Sequence, residues 1–138
     1  MNYLNSFLQT VKVSEHVLKL AELAQSKKSY FAYFHGSYNE QTNQSWCSDC
    51  DISRPLVEKQ LYKFENKKNV LFIKFPIETS AEWKQADFVY RTNKFKLKKV
   101  PTLIFYNKGN EICRLTEGEL FDEENLGEFF DDCLAQDE

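Results

Sequence analysis

Between Asn69 and Ile77 the chain runs through Val70, Leu71, Phe72, Ile73 and Phe75 with only Lys74 breaking the apolar series. A run this short and this continuous has neither helical period nor strict alternation. It reads as a β-strand covered on both faces, as in a central parallel pair. Parallel neighbours need long crossovers, so the flanking segments should supply helices to both sides of a sheet. They do. Ser29 to Phe34 is a second short, aromatic, buried strand. Before it, Ser14 reads as an N-cap, and Val17, Leu20, Ala21 and Ala24 recur at helical spacing to about Gln25. A second helix is expected from near Cys47 to about Glu65, marked by Val57, Leu61 and Phe64, with Pro55 as a kink.

Downstream, Ser80 to about Asn93 (Trp83, Ala86, Phe88, Tyr90) reads as a third helix. Val100-Pro101-Thr102 then leads into the strand Leu103 to Tyr106, the turn Asn107 to Asn110, and a return strand Ile112 to Leu115. Leu126, Phe129, Phe130, Cys133 and Leu134 mark a closing helix. The polar stretch His35 to Ser45 is expected to be a long loop, and a short strand is allowed around Val11 to Val13. The order α-β-α-β-α-β-β-α predicts an α/β three-layer sandwich with a mixed central sheet flanked by helices, as one domain over residues 1–138.

Composition narrows the function classes. A hydrophobic fraction of 42%, with 12 Phe, 7 Tyr and 2 Trp, can build a core and argues against disorder. Eighteen basic against 21 acidic residues give a net charge of −3, which disfavours a general nucleic-acid binder. Met1 to Leu8 lacks the basic and long apolar regions of a signal peptide, and no run reaches the ~20 apolar residues of a membrane span. Four cysteines are too few for a disulfide-dense secreted scaffold, so a reducing, cytoplasmic setting is expected.

In that setting Trp46-Cys47-Ser48-Asp49-Cys50 carries the chemistry. Two cysteines three positions apart at a helix start can close a small ring. The first sits among unpaired helix N–H groups, where thiolate is favoured over thiol, and the second lies one turn deeper. That arrangement offers an exposed nucleophile and a sheltered resolving partner. The spacing alone is weak, and a structural or metal-binding pair stays open. Context strengthens the redox reading: an apolar strand before the motif, Trp46 beside it, Pro55 in the following helix, and Val100-Pro101-Thr102 at a strand entrance. A cis peptide at Val100–Pro101, facing the thiols, is expected.

Taken together, Trp-Cys-x-x-Cys, the helix proline and Val-Pro-Thr resemble the thioredoxin superfamily. Phe31-Ala32-Tyr33-Phe34, Gly36-Ser37, Trp46-Cys47-Ser48-Asp49-Cys50, Trp83-Lys84, Asp87-Phe88 and Val100-Pro101-Thr102-Leu103 look more specifically like the thioredoxin domain-containing protein 17 (Clot) family. The likeness spans about residues 14 to 134. It implies a thioredoxin fold and a thiol-disulfide oxidoreductase acting as a protein-disulfide reductase, with disulfide-dependent peroxidase activity as a further option. It implies Cys47 as nucleophile and Cys50 as resolving thiol, supported by Trp46, Ser48, Asp49, Val100, Pro101 and Thr102. It also implies no bound cofactor or metal. Electrons would come from NADPH through thioredoxin reductase, and disulfide-containing proteins or small molecules would be substrates of a monomer. Two departures stand out. Ser48 occupies the family's usual proline, and its hydroxyl could reach the Cys47 sulfur. Tyr33 stands where ordinary thioredoxins bury an aspartate, leaving Asp49 as the nearest carboxylate.

Other residues take plainer readings. Cys113 and Cys133 are expected to be buried small hydrophobes. Without a second Cys-x-x-Cys or suitably spaced histidines, zinc is disfavoured. Arg91, Lys94, Lys96, Lys98 and Lys99 read as a solvated helix end, or as a positive field beside Cys47. Glu117, Glu119, Asp122 to Glu124, Asp131-Asp132 and Asp137-Glu138 read as a solubilising acidic end. The rival function is an adaptor on the same fold whose cysteines are not turned over.

Overall fold

In the computed structural model, which describes residues 7–67 and 69–136, strand β2 (Ser29–Gly36) is the middle of a five-stranded sheet. It pairs in parallel with β5 (Val70–Ile77) and antiparallel with β6 (Thr102–Asn107). β1 (Leu8–Thr10) adds in parallel to β5, and β7 (Asn110–Thr116) forms a hairpin with β6, giving the order β1-β5-β2-β6-β7. The sheet is mixed, as expected, and β5 is an inner parallel strand whose Lys74 and Pro76 alone are not fully buried.

Alternate residues of β2 feed two cores, because strand side chains point to opposite faces. Tyr30, Ala32 and Phe34 pack with Ile73, Phe75, Tyr90 and Phe95 on one side, under helix α1 (His16–Ser26) and the short helices α3 (Ser80–Lys84) and α4 (Val89–Thr92). Phe31 and Tyr33 pack with Val57, Phe64, Phe72 and Phe130 on the other, under α2 (Ser48–Glu58) and α5 (Glu123–Gln136). Helices therefore cover both faces, and the three-layer sandwich is observed. Leu126, Phe129, Phe130, Cys133 and Leu134 are the buried residues of α5, as their spacing predicts.

Several local expectations change. The α1 stripe is rotated by one position: His16 and Leu23 are buried, whereas Val17 is 67% exposed and Ala21 and Ala24 face solvent. Hydropathy favours Val17, but the His16 ring packs edge-on to Tyr90 at 5.2 Å and its Nδ1–H donates to the Val13 carbonyl at 2.6 Å. A hydrogen-bonded imidazole is cheap to bury. Ser14 lies in a 3-10 turn (Val13–Glu15) rather than capping α1, and the early strand falls at Leu8–Thr10 rather than Val11 to Val13. The expected helix from Ser80 to Asn93 is broken, with Gln85 in extended geometry. A continuous helix would hold Trp83 and Tyr90 on one face and carry Phe88 away from them. The break instead lets Phe88 reach both Trp83 and Tyr90, while Arg91 lies 3.6 Å over the Trp83 ring and donates twice to the Trp83 carbonyl.

The expected loop from His35 to Ser45 contains real structure. β2 continues through His35 to Gly36, and Tyr38–Asn39 (β3) pairs with Gln44–Ser45 (β4) in a small hairpin. The side chain of Asn39 accepts from the Gln41 and Thr42 amides, and Asn43 takes the left-handed conformation at φ 59°. Cys133 is buried as expected, but Cys113 is exposed. A register shift between Phe105 and Tyr106 distorts the edge strand β7 at that point, and Glu111, Ile112 and Cys113 all meet solvent. Of the acidic end, Asp137 and Glu138 lie outside the described residues, as do Met1 to Ser6.

Candidate active site

Cys47 is the N-cap of α2, and Cys50 lies in its first turn. Their Cα atoms are 5.2 Å apart and the two sulfurs are joined as a disulfide. The Cys50 amide donates to the Cys47 sulfur at 3.2 Å, and the Gly36 amide at the end of β2 donates to the Cys50 sulfur at 3.4 Å. Each sulfur thus faces a backbone N–H, which stabilises a thiolate when the bond is opened. Cys50 is fully buried, whereas Cys47 keeps 9% exposure at the surface. The two sulfurs are therefore unequally buried from the helix start.

The sequence-predicted neighbours converge on the pair unevenly. Val100–Pro101 is cis, and the Val100 carbonyl oxygen lies 3.8 Å from the Cys47 sulfur. The Thr102 hydroxyl turns away, donating to the Lys99 carbonyl at 2.7 Å, and so ties down the loop that carries the proline. The Trp46 indole N–H donates to the Ile77 carbonyl at 2.8 Å, holding the ring against Gly36. A Cβ at Gly36 would lie 2.5 Å from Ser45 Oγ and 2.7 Å from Trp46 Cε2, so this close approach requires glycine. Ser48 is exposed and Asp49 half-buried, and neither side chain makes a hydrogen bond among the described residues. Among the described residues the Ser48 hydroxyl does not use its option of reaching the Cys47 sulfur, because the first helical position turns its side chain to solvent.

Sequence reasoning missed the groups that hold the motif in place. Asp51 Oδ1 accepts from the Ser45 amide at 2.9 Å, and Ser45 Oγ accepts from the Cys47 amide at 3.0 Å. An acidic residue in the first turn of a helix was the available signal. Beneath the dithiol, the Tyr33 hydroxyl bonds Ser53 Oγ at 2.6 Å, and the Ser53 hydroxyl lies 3.3 Å from the Cys50 carbonyl. Tyr38 donates to the same carbonyl at 3.4 Å. Burial pushes the Tyr33 phenol up to about 12, so it stays neutral where ordinary thioredoxins place a carboxylate. The expected basic field is partly consumed: Arg91 is bound to Trp83, and Lys94 lies over the Tyr106 ring at 4.6 Å. Lys96, Lys98 and Lys99 remain exposed near Val100. Among the described residues no group of three or more His, Cys, Asp or Glu side chains is arranged to hold a metal ion, and no helix is long and apolar enough to cross a membrane.

A mixed sheet with helices on both faces, a Cys-x-x-Cys disulfide capping a helix, and a cis-proline opposite it define a thioredoxin-fold redox centre. The crystal structure of the thioredoxin NaTrxh from Nicotiana alata superposes with a TM-score of 0.60 at 16% identity, covering 90% of this chain and 91% of that one. Residues 9–132 match the family model described as thioredoxin domain-containing protein 17-like, thioredoxin domain, and the chain belongs to that family. The thioredoxin-like protein Clot of Arabidopsis thaliana is 32% identical over 109 residues, 78% of this chain and 79% of that protein. A protein named acireductone dioxygenase in Leishmania infantum is 32% identical over 76 residues, but the chain spans only 22% of its length.

Proposed function

We propose that this chain is a cytoplasmic thiol-disulfide oxidoreductase that reduces disulfides in proteins or small molecules. The observation that carries the reading is the asymmetric pair at the start of α2: Cys47, nearly buried at 9% exposure with its sulfur receiving a helix N–H, backed by the fully buried Cys50. In the reduced state the Cys47 thiolate attacks one sulfur of a substrate disulfide. A mixed disulfide forms and the other substrate sulfur leaves as a thiolate. Cys50, after losing its proton, attacks the Cys47 sulfur, expels the second substrate thiolate and leaves Cys47–Cys50 oxidised, so two electrons pass to the substrate. Tyr33 is too weak an acid to be ionised near neutral pH, so the Cys50 thiolate relies on the Gly36 amide rather than on a buried carboxylate. Trp46 and Val100 flank Cys47 and would form the docking surface for substrate. Recharging by thioredoxin reductase at the expense of NADPH is consistent with the family and with the disulfide at the start of α2.

The test is NADPH consumption with thioredoxin reductase, this chain and cystine. Turnover is expected for the wild type and should be lost in Cys47→Ser. Cys50→Ser should accumulate a mixed disulfide visible by mass. A wild-type protein that stays oxidised under these conditions, and is not reduced by dithiothreitol into a form that cleaves cystine, would overturn the reading.

A further inference from the structure

The loop that carries the cis-proline also carries positive charge. Lys96, Lys98 and Lys99, with Glu111, Arg114 and Thr116 of β7, line a cleft of about 360 Å³. Four of these six side chains are cations and one is a carboxylate, in a chain whose net charge is −3. The carboxylate is engaged by its neighbour: Arg114 donates to Glu111 at 2.6 and 2.7 Å. Lys99 pairs with Glu117 at a distant 4.0 Å. Lys96 and Lys98 are exposed and make no ion pair or side-chain hydrogen bond among the described residues.

The backbone beneath these lysines is held by what lies between them. Phe95, Leu97 and Val100 are buried, the Leu97 amide donates to the Tyr90 carbonyl at 2.8 Å, and the Phe95 carbonyl accepts from Arg114 at 2.9 Å. A loop already ordered loses less conformational entropy when a partner docks. The cleft also adjoins the dithiol. Lys99 precedes Val100, whose carbonyl oxygen lies 3.8 Å from the Cys47 sulfur. The Lys99 carbonyl accepts from the Thr102 hydroxyl at 2.7 Å, and the Glu117 amide donates to the Pro101 carbonyl at 2.9 Å, so both walls of the cleft are tied to the cis-proline loop.

We propose that this cleft receives an acidic stretch of the polypeptide that carries the substrate disulfide, its Asp or Glu side chains pairing with Lys96 and Lys98 while its cystine lies at Cys47. The inference rests on the oxidoreductase reading and narrows its substrates to disulfides with acidic flanks. A substrate that reacts at Cys47 lies against Val100, so the chain leading away from its cystine meets the first lysine one residue further on. Complementary charge at such a rim speeds encounter and fades as salt rises.

The probes are three symmetric disulfides of one short cysteine peptide, flanked on both sides by glutamate, by glutamine or by lysine. Each is mixed with the full chain, reduced by dithiothreitol and desalted, at about 20 mM salt, where screening is weak. Closure of Cys47–Cys50 is followed by acid quench, alkylation and mass, with no reductase present. Each rate is divided by that peptide's rate with free dithiothreitol, which removes its intrinsic reactivity. The glutamate peptide should then react about fivefold faster than the glutamine peptide, the scale of two screened ion pairs, and the lysine peptide slower than both. Lys96→Gln with Lys98→Gln should cut that preference below about twofold, as should about 500 mM salt on the wild type. The glutamine peptide's rate should stay unchanged in this double variant, showing the dithiol intact. Lys27→Gln with Lys108→Gln removes equal charge at the opposite end of the sheet, where Ser29 meets Asn107, and should keep the preference. Equal rates for the three peptides, a preference that survives Lys96→Gln with Lys98→Gln, or one lost equally in both double variants would overturn this inference and leave the oxidoreductase reading standing. Failure of the reduced chain to cleave any of the three would overturn both.

Discussion

At the scale of single residues, the site works by subtraction. Tyr33 supplies no charge beneath Cys50, and Ser48 supplies no hydrogen bond to Cys47, so backbone amides carry the sulfurs. Asp49, whose side chain makes no hydrogen bond among the described residues, stands within one helical turn of Cys47, where a carboxylate would oppose thiolate formation. Asp49→Asn should lower the Cys47 pKa and speed its alkylation near neutral pH by about two- to threefold, the size expected of one screened charge. Iodoacetamide rates against pH would check it, and an unchanged rate would assign Asp49 no electrostatic role. His35 makes the opposite kind of prediction. Its folded-state pKa lies near 4, below the ordinary 6.5, so the unfolded chain binds the proton first as pH falls. The stability it contributes is complete above about pH 6.5 and is lost as pH falls toward 4, by up to about 1.4 kcal/mol per pH unit. Urea melts of wild type and His35→Phe across that range should show the acid limb flatten in the variant.

At the scale of elements, α2 and the β3–β4 hairpin form one unit. Asp51 takes the Ser45 amide, Arg54 takes Asn43, and Tyr38 takes the Cys50 carbonyl, so three successive contacts clamp the hairpin to the helix that presents the dithiol. Arg54→Met should free the tip: cleavage by a nonspecific protease within residues 40–43 should rise severalfold while the overall melting temperature moves little. The hairpin is also where sequence reading fell short. Strands of two residues are too brief for alternation to register, and polar side chains hold them. The start of the Cys-x-x-Cys helix was legible from its cysteines and Val57, but its expected run to Glu65 was not: α2 stops at Glu58, and Leu61 and Phe64 lie in a 3-10 turn (Lys59–Phe64) whose three-residue period the helical spacing does not reveal. The region from Ser80 to Asn93 was not legible, since Trp83 and Tyr90 share a helical face while the packing of Phe88 against both requires the helix to break.

At the scale of the whole molecule, aromatic rings do the joining. Phe31 lies within 6.3 Å, centroid to centroid, of Phe64, Phe72, Phe105, Phe129 and Phe130, and so ties β2 to β5, β6, α5 and the 3-10 turn after α2. Phe31→Ala should cost about 3–5 kcal/mol by urea unfolding, with the redox pair still able to close in the fraction that remains folded. The inner strands were legible because each is almost wholly apolar, whereas their order in the sheet was not read from the sequence. The fates of the two outlying cysteines were not separable from sequence, since both occupy apolar patterns and only the packing of α5 against the sheet distinguishes them. That difference leaves the molecule with an uneven inventory of sulfur. In its native oxidised form the chain should titrate as a monothiol, with Cys113 reacting promptly and Cys133, its thiol pushed up to about 12 by burial, silent until the chain unfolds. A sulfhydryl count on this protein is thus a conformational reading: one when folded, two when denatured, and four only after reduction.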